Sequence, residues 1–387
     1  MKVLVTGGTG FLGTHFMNAL CQSVDAADVR VLNLVNTPSL EKLGVEVLTG
    51  TVTSRADVER AMDGVSHVYH LAGYVSRRPE DAHLMFTVHV DGTRLVCQAA
   101  AEAGVKRMVM SSTSGTIAIS KREDEWPDED SPAPMELITR WPYYSSKFYQ
   151  EATARRFCGD KVELVMVNPA LLLGPGDERI GSTREVLSFL SGDVRVVPSG
   201  GINFVDARDV AAMIPVAMQK GRPGERYLLG GHNMTFVEYF NRMERLSKDY
   251  SPRIKVRSDW AWYAARAQAA VFKALGRTAP IEPAAADQAR FFWFFDSAKA
   301  RQELGWAPQE TFETGLRKTI LWYLGHTPWI ERIRSGKYRG ETKVGNLHRG
   351  GPLHSGPRED MEDQPAAKQR PDRRAEGIEG LGKVEAA

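Results

Sequence analysis

Lys2-Val3-Leu4-Val5-Thr6-Gly7-Gly8-Thr9-Gly10-Phe11-Leu12-Gly13 opens the chain with a short apolar run followed by glycines spaced for a junction between strand, turn and helix. Gly7 allows a tight turn out of the strand, and Gly10, without a Cβ, lets backbone N–H groups approach a pyrophosphate. Gly13 lets the first helix lie close to the sheet, and the helix N-terminus then turns its positive dipole end toward the phosphates. Glycine-rich stretches are often only loops, so the reading depends on context. Here His15 to Cys21 reads as helix and Val29 to Val35 as a second buried strand, which completes the strand-helix-strand unit.

Strand and helix signals keep alternating through the first half. Val45 to Leu48 reads as strand, Ser54 to Met62 as helix, and Val65 to Leu71 as a strand running into His70-Leu71-Ala72-Gly73. A helix over Met85 to Ala103 follows, then a strand over Arg107 to Ser112 with serines at its carboxyl end. This alternation predicts an α/β fold with a doubly wound parallel sheet, and ligands of such sheets gather at the carboxyl ends of the strands. The acidic stretch Glu123 to Ser131 reads as a solvated loop. At the end of the second strand an acid or an arginine normally separates NAD from NADP, whereas this chain offers Asn33 and Asn36. Asn33 suits a ribose hydroxyl and repels no phosphate. The cofactor therefore reads as NAD or NADP, with a lean to NAD because no arginine follows before Arg55.

Tyr143 and Lys147 lie four residues apart on a helix that begins at Trp141-Pro142, so phenol and ammonium share one face. A free tyrosine has a pKa of about 10, and a nearby cation favours the phenolate. The pair can then take a proton from an alcohol or give one to a carbonyl oxygen. Aromatic packing by Tyr143, Tyr144 and Tyr149 is the competing reading of the same residues.

The stretches TGGTGFLG (6–13), HLAG (70–73), MSSTSG (110–115), PYYSSK (142–147), VNPALLLGPGD (167–177) and GINFVDARDVA (201–211) together resemble the extended short-chain dehydrogenase/reductase family. The chain is most similar to its dihydroflavonol-4-reductase-like and hopanoid-associated sugar epimerase-like branch. GERYLLGG (224–231) and DSAKARQELGWAP (296–308) extend the match from residue 1 to about 330. The resemblance implies a Rossmann domain and a catalytic set of Thr113, Tyr143 and Lys147, with Ser112 as the substitute for Thr113. It implies cofactor contacts from Gly7, Thr9, Gly10, Phe11, Leu12, Gly13, Asn33, Thr51, Val52, Leu71, Ala72, Gly73, Ser111, Tyr143 and Lys147, and from Asn168-Pro169-Ala170 beside the nicotinamide. Two positions depart from the pattern. Gly50-Thr51-Val52 lacks the usual aspartate near the adenine. Asn168 and Leu171 stand where nucleotide-sugar epimerases carry arginine and asparagine, which speaks against a nucleotide-sugar substrate.

These features imply an NAD(P)-dependent oxidoreductase that interconverts a secondary alcohol and a ketone on a small or lipophilic molecule. A sugar epimerase or dehydratase with transient hydride transfer is the first alternative, and a non-catalytic NAD(P)-binding redox sensor the second. Residues 1–178, rejoined by 201–231, read as the dinucleotide-binding domain, and 179–200 with 232–334 as a smaller substrate lobe. Residues 335–387, poor in large apolar groups, read as a disordered tail whose His348 and His354 are solvated.

Fifty lysines and arginines nearly balance forty-eight acids, so no basic field argues for nucleic acid. Cys21, Cys97 and Cys158 show no metal spacing and read as reduced thiols of a cytoplasmic protein, and the immediate first strand leaves no room for a signal peptide. Phe291-Phe292-Trp293-Phe294-Phe295 reads as a buried strand rather than a lipophilic pocket, with Trp260, Trp262 and Tyr263 as core. Trp260 to Leu275 is too short and too charged to span a bilayer, though it has the character of a helix resting on a membrane surface. A homodimer through a helix pair of the cofactor lobe is what the family implies.

Overall fold

The computed structural model describes residues 2–190, 194, 196–247, 254–255, 258–275 and 283–325. The expected tail and its histidines lie outside that set.

The first strand, Val3–Thr6, is apolar and buried throughout because parallel strands are covered on both faces. It stands near the middle of a seven-stranded parallel sheet. The strand order is Arg226–Leu229, Glu163–Pro169, Arg107–Ser111, His67–His70, Val3–Thr6, Val29–Asn33, Glu46–Thr49. The chain winds outward in one direction for three strands and then crosses to the far side of the first, so a crevice opens between Val3–Thr6 and His67–His70. Register pairs Thr6 with Leu32 on one side and His70 on the other, which brings the carboxyl ends of these strands to one edge.

Helices Phe11–Leu20 and Ala207–Lys220 pack on one face through Phe16, Met17, Leu20, Val210 and Ile214. Arg55–Met62, Gly92–Glu102 and Pro142–Cys158 cover the other through Val58, Met62, Val96 and Ala154. Ser54 accepts a hydrogen bond from the Asp57 N–H and starts its helix one residue later than expected. Pro142 occupies the first turn of Pro142–Cys158, where its missing N–H has no intrahelical partner to lose. The helix expected over Met85 to Ala103 is broken by a wider turn, Thr87–Asp91, between Ala82–Phe86 and Gly92–Glu102. Such a π turn rotates the register, and here it carries His89 fully into the interior. Cys97 and Cys158 meet as hydrogen-bonded free thiols between two of these helices, and that contact, with burial, raises Cys97.

The second lobe is organised by Gly201–Asp206, which pairs antiparallel with His232–Thr235 and parallel with Phe292–Trp293 and Leu171–Leu173. The helix Ala207–Lys220 and the strand Arg226–Leu229 return to the first sheet, whereas Gly201–Asp206 stays in the second. Phe291, Trp293, Phe294 and Phe295 are buried, and Trp293 packs on Tyr144 at 4.7 Å and on Trp141 at 5.5 Å. Phe292–Trp293 is therefore a short strand flanked by buried rings, with Phe292 half-buried.

The acidic loop is solvated as expected at residues 123–126, Asp128 and Asp130, with one exception. Glu129 is buried, its carboxylate accepts the Leu228 N–H at 2.8 Å, and its carbonyl accepts from Arg226. Burial raises the Glu129 pKa, and the loop is tied to the edge strand of the main sheet.

Candidate active site

The glycine turn is held by close backbone approach. Gly7 has φ +78°, and a Cβ there would lie 2.7 Å from the Ala72 backbone. At Gly13 it would lie 2.1 Å from the Gly7 carbonyl, so neither position admits a side chain without moving main chain. A Cβ at Gly10 would meet only the Gly7 carbonyl, at 3.4 Å. The space beside Gly10 is open where a phosphate of a dinucleotide needs it, directly before the N-terminus of Phe11–Leu20. Leu71-Ala72-Gly73 runs alongside, with the Ala72 N–H on Thr6 Oγ1 and Gly73 against His89. Phe11 and Leu12 begin the helix; a Cβ at Gly174 would lie 3.5 Å from Phe11 Cζ, and Leu12 joins the core.

Asn33 is buried at the end of the second strand, donating to Thr9 Oγ1 at 2.7 Å and to the Val35 carbonyl at 2.8 Å. At the adenine end Thr51 N–H is bound by the Asp57 carboxylate at 3.1 Å, and Val52 is buried. An aspartate therefore does stand beside Gly50-Thr51, supplied by the next helix rather than by the strand. The residues present fit a dinucleotide along this edge.

Thr113 caps the short turn Ser114–Thr116, accepting from Gly115 N–H, and exerts a small lowering effect on the Tyr143 phenol. Ser112 points elsewhere, donating to Glu151. The expected lowering of the Tyr143 phenol is not found. Burial, then Tyr144, push the phenol above the ordinary tyrosine value, against a smaller lowering by Thr113. Lys147 is itself pushed down to about 8 by burial, which Glu151 partly opposes. The reason lies in where the ammonium is bound: Lys147 Nζ donates to the Ser111 carbonyl at 2.8 Å and to Gln150 Oε1 at 2.6 Å. Asn168 ends in the interior, its Nδ2 2.7 Å from Glu151 Oε1 and 3.0 Å from the Thr113 carbonyl, while its Oδ1 has no partner. Pro169 closes its strand, and Ala170 N–H is held by the Leu229 carbonyl at 3.0 Å.

Two buried networks around these residues were not singled out from sequence. From Lys147 the first runs through Gln150 to Thr93, His70 and Thr6, with steps of 2.8 to 2.9 Å after Gln150. His70 is neutral, its pKa lowered to about 3 by burial and then by Lys147. The second centres on the Glu151 carboxylate, which accepts from Ser112, Thr116 and Asn168 and pairs with Arg226 at 3.4 Å. Gln150 and Glu151 fall three and four residues after Lys147, so helical spacing carried that signal. His89 donates toward Ser146, which is bonded to the Tyr143 carbonyl. Only its fold position reveals that role. Above the cleft, Arg77 pairs with Glu185 at 2.6 Å, joining the loop after Gly73 to the helix Arg184–Leu190.

A protein that brings a pyrophosphate cradle, a threonine, a tyrosine and a buried lysine to one edge of a parallel sheet is a dinucleotide-dependent enzyme of the short-chain dehydrogenase/reductase kind. The chain belongs to the NAD dependent epimerase/dehydratase family, whose sequence profile matches residues 3–230. Sterol demethylase protein B of Methylococcus capsulatus is 33% identical over 260 residues, 66% of this chain and 77% of that protein. A Synechocystis protein provisionally named a dihydroflavonol 4-reductase is 27% identical, covering 83% of this chain and 94% of its own. The fold matches that of dTDP-glucose 4,6-dehydratase from Streptomyces venezuelae with a TM-score of 0.68 at 24% identity, covering 86% of this chain and all of the other. Among the described residues no cluster of His, Cys, Asp and Glu is arranged to hold a metal, and no helix is long and apolar enough to cross a membrane.

Proposed function

We propose that the protein interconverts a secondary alcohol and a ketone on a lipophilic substrate, with NAD or NADP as partner. The observation that carries this reading is the hydrogen bond from Lys147 Nζ to the Ser111 carbonyl at 2.8 Å, which fixes the helix bearing Tyr143 against the strand end that leads into Thr113, at the strand edge that fits the dinucleotide. When bound, the nicotinamide supplies or accepts the hydride. Thr113 holds the substrate oxygen by its hydroxyl and aims it at Tyr143. Tyr143 hands its phenolic proton to the carbonyl oxygen in reduction and takes it back in oxidation. A raised phenol pKa favours the protonated form, which is the form reduction requires. Lys147, fixed by Ser111 and Gln150, places positive charge where the phenolate forms.

Two observations support a lipophilic substrate. Tyr144, half-buried, packs on Tyr143 at 5.1 Å and is backed by the core rings of Trp141 and Trp293. A relative 33% identical over 260 residues is named a sterol demethylase protein. Asn168 and Leu171 replace the polar pair expected of nucleotide-sugar epimerases, and Asn168 is committed to Glu151. Asn33, with no arginine after it before Arg55, favours NAD.

The test is net cofactor turnover. Purified protein with a panel of lipophilic ketones and secondary alcohols should consume or produce reduced cofactor stoichiometrically, read by its absorbance. Substrate isomerisation with no net change in reduced cofactor would establish the epimerase alternative instead.

A further inference from the structure

The helix Ser258–Ala274 exposes a continuous apolar stripe that the proposed reaction does not use. Trp260 is 69% exposed, Tyr263 58%, Val271 58%, and Leu275, just past the helix end, 65%. With the exposed Ala264, Ala267, Ala270 and Ala274 they follow the three- and four-residue steps of one helix face. The other side is held to the protein: Ala265 is buried, and the Trp262 ring lies under the guanidiniums of Arg266 at 4.9 Å and Arg290 at 5.0 Å. Large apolar groups aligned on a surface mark an interaction site, whereas scattered ones do not.

We propose that this helix docks on an anionic lipid bilayer, lying in the interface with Trp260, Tyr263, Val271 and Leu275 among the acyl chains. Charge chooses the occupant. The sequence from 251 to 281 carries Arg253, Lys255, Arg257, Arg266, Lys273 and Arg277 against the single acid Asp259. The whole chain has a formal charge of only +2, so the rest of it is net negative. An aromatic-bearing amphipathic helix set in a basic segment fits the headgroup region of an acidic membrane. A second copy docked by the same face would oppose two basic segments. The chain's own C-terminal segment, 326–387, holds slightly more basic than acidic residues and offers no complement.

The docking surface is mechanically continuous with the catalytic lobe. The helix packs on Pro283–Gln288, whose Asp287 pairs with Arg290 at 2.9 Å and with Arg140 at 3.0 Å. Arg140 leads directly into Trp141 and Tyr143. A lipophilic substrate delivered by the bilayer would thus meet an enzyme already seated on it.

Flotation of the full chain with phosphatidylcholine vesicles, with and without phosphatidylglycerol, tests the proposal. The expected result is flotation with the anionic vesicles only, weakened by high salt, and reduced at least about tenfold in a Trp260→Asp, Val271→Asp double variant. Binding of NAD(P)H, followed by its fluorescence, should be unchanged in that variant, which separates loss of docking from loss of fold or of the proposed activity. Wild type that stays in the buffer at both compositions overturns the proposal, as does equal flotation of wild type and variant. Size-exclusion showing that the variant splits a dimer, with no vesicle binding by either protein, would overturn it in favour of a second copy.

Discussion

The two lobes bury their side chains by opposite rules. At the strand edge of the cofactor lobe the interior is polar: Thr6, His70, Thr93, Gln150, Lys147 and Glu151 are all buried, and each is fixed by named partners. In the substrate lobe the interior is a stack of rings, with Phe204 on Tyr239 at 4.5 Å and Phe189 on Phe240 at 6.0 Å. Directional bonds in low dielectric define positions to fractions of an ångström, whereas ring packing defines shape and tolerates exchange. On the proposed function, the difference would put the proton chemistry in the first region and substrate shape in the second.

The sharpest way to break that division is Tyr143→Phe. Loss of the phenolic proton should lower kcat about a thousandfold while NAD(P)H binding and the unfolding midpoint stay near wild type. A variant with near-normal turnover in every assay would leave only the sensor reading. Next in size is Glu151→Ala, which strips Arg226 of its buried partner and Ser112, Thr116 and Asn168 of their acceptor. Urea unfolding should show a loss of about 3–5 kcal/mol. Trp293→Phe, behind Tyr144, should cost only about 1–2 kcal/mol and should change KM for a lipophilic substrate more than cofactor affinity. Equal costs at the two sites would erase the contrast between lobes.

The parallel sheet was legible because its strands are apolar throughout and its turns are written in glycine; Val3–Thr6, Gly7 and Gly13 behave as read. Thr113 came only through the family resemblance, since no helical or strand period in the chain ties it to Tyr143. What sequence could not give was electrostatic sign. Spacing placed an ammonium near a phenol, but the outcome depends on depth and on what else binds Nζ, and Ser111 and Gln150 take it. Glu129 escaped for a similar reason: a loop rich in acids looks solvated until one carboxylate finds a strand N–H. His89 was hidden because a π turn breaks the period by which helix faces are read.

Lys147 also sets a pH dependence of intermediate size. Its value in the folded protein is lowered to about 8 from 10.5, so the ammonium that supports Tyr143 is lost as pH rises through about 8. Initial rates of ketone reduction should fall about tenfold per unit above that point. Between about 8 and 10.5 the unfolded chain binds the extra proton, so this one group makes stability rise with pH while activity declines. Glu151→Ala removes a charge that holds Lys147 up, and should move the activity limb to lower pH.

The smallest expected effect, Asn33→Asp, asks whether a single polar exchange in the cofactor lobe stays local. Asn33 donates from Nδ2 to both Thr9 Oγ1 and the Val35 carbonyl. A carboxylate can still accept from the Thr9 hydroxyl if that group rotates, but it faces the Val35 carbonyl with no proton between them. Part of the site's order is therefore lost for either cofactor. For NADP a second cost is added, because a negative charge meets the 2′-phosphate, whereas the free ribose hydroxyls of NAD can donate to it. Titration should show NADP weakened about tenfold more than NAD, roughly 1.4 kcal/mol. Equal weakening of both would mean that Asn33 serves the Thr9 turn and never reaches the ribose. In that case cofactor choice would have to be sought among other groups at the carboxyl end of Val29–Asn33.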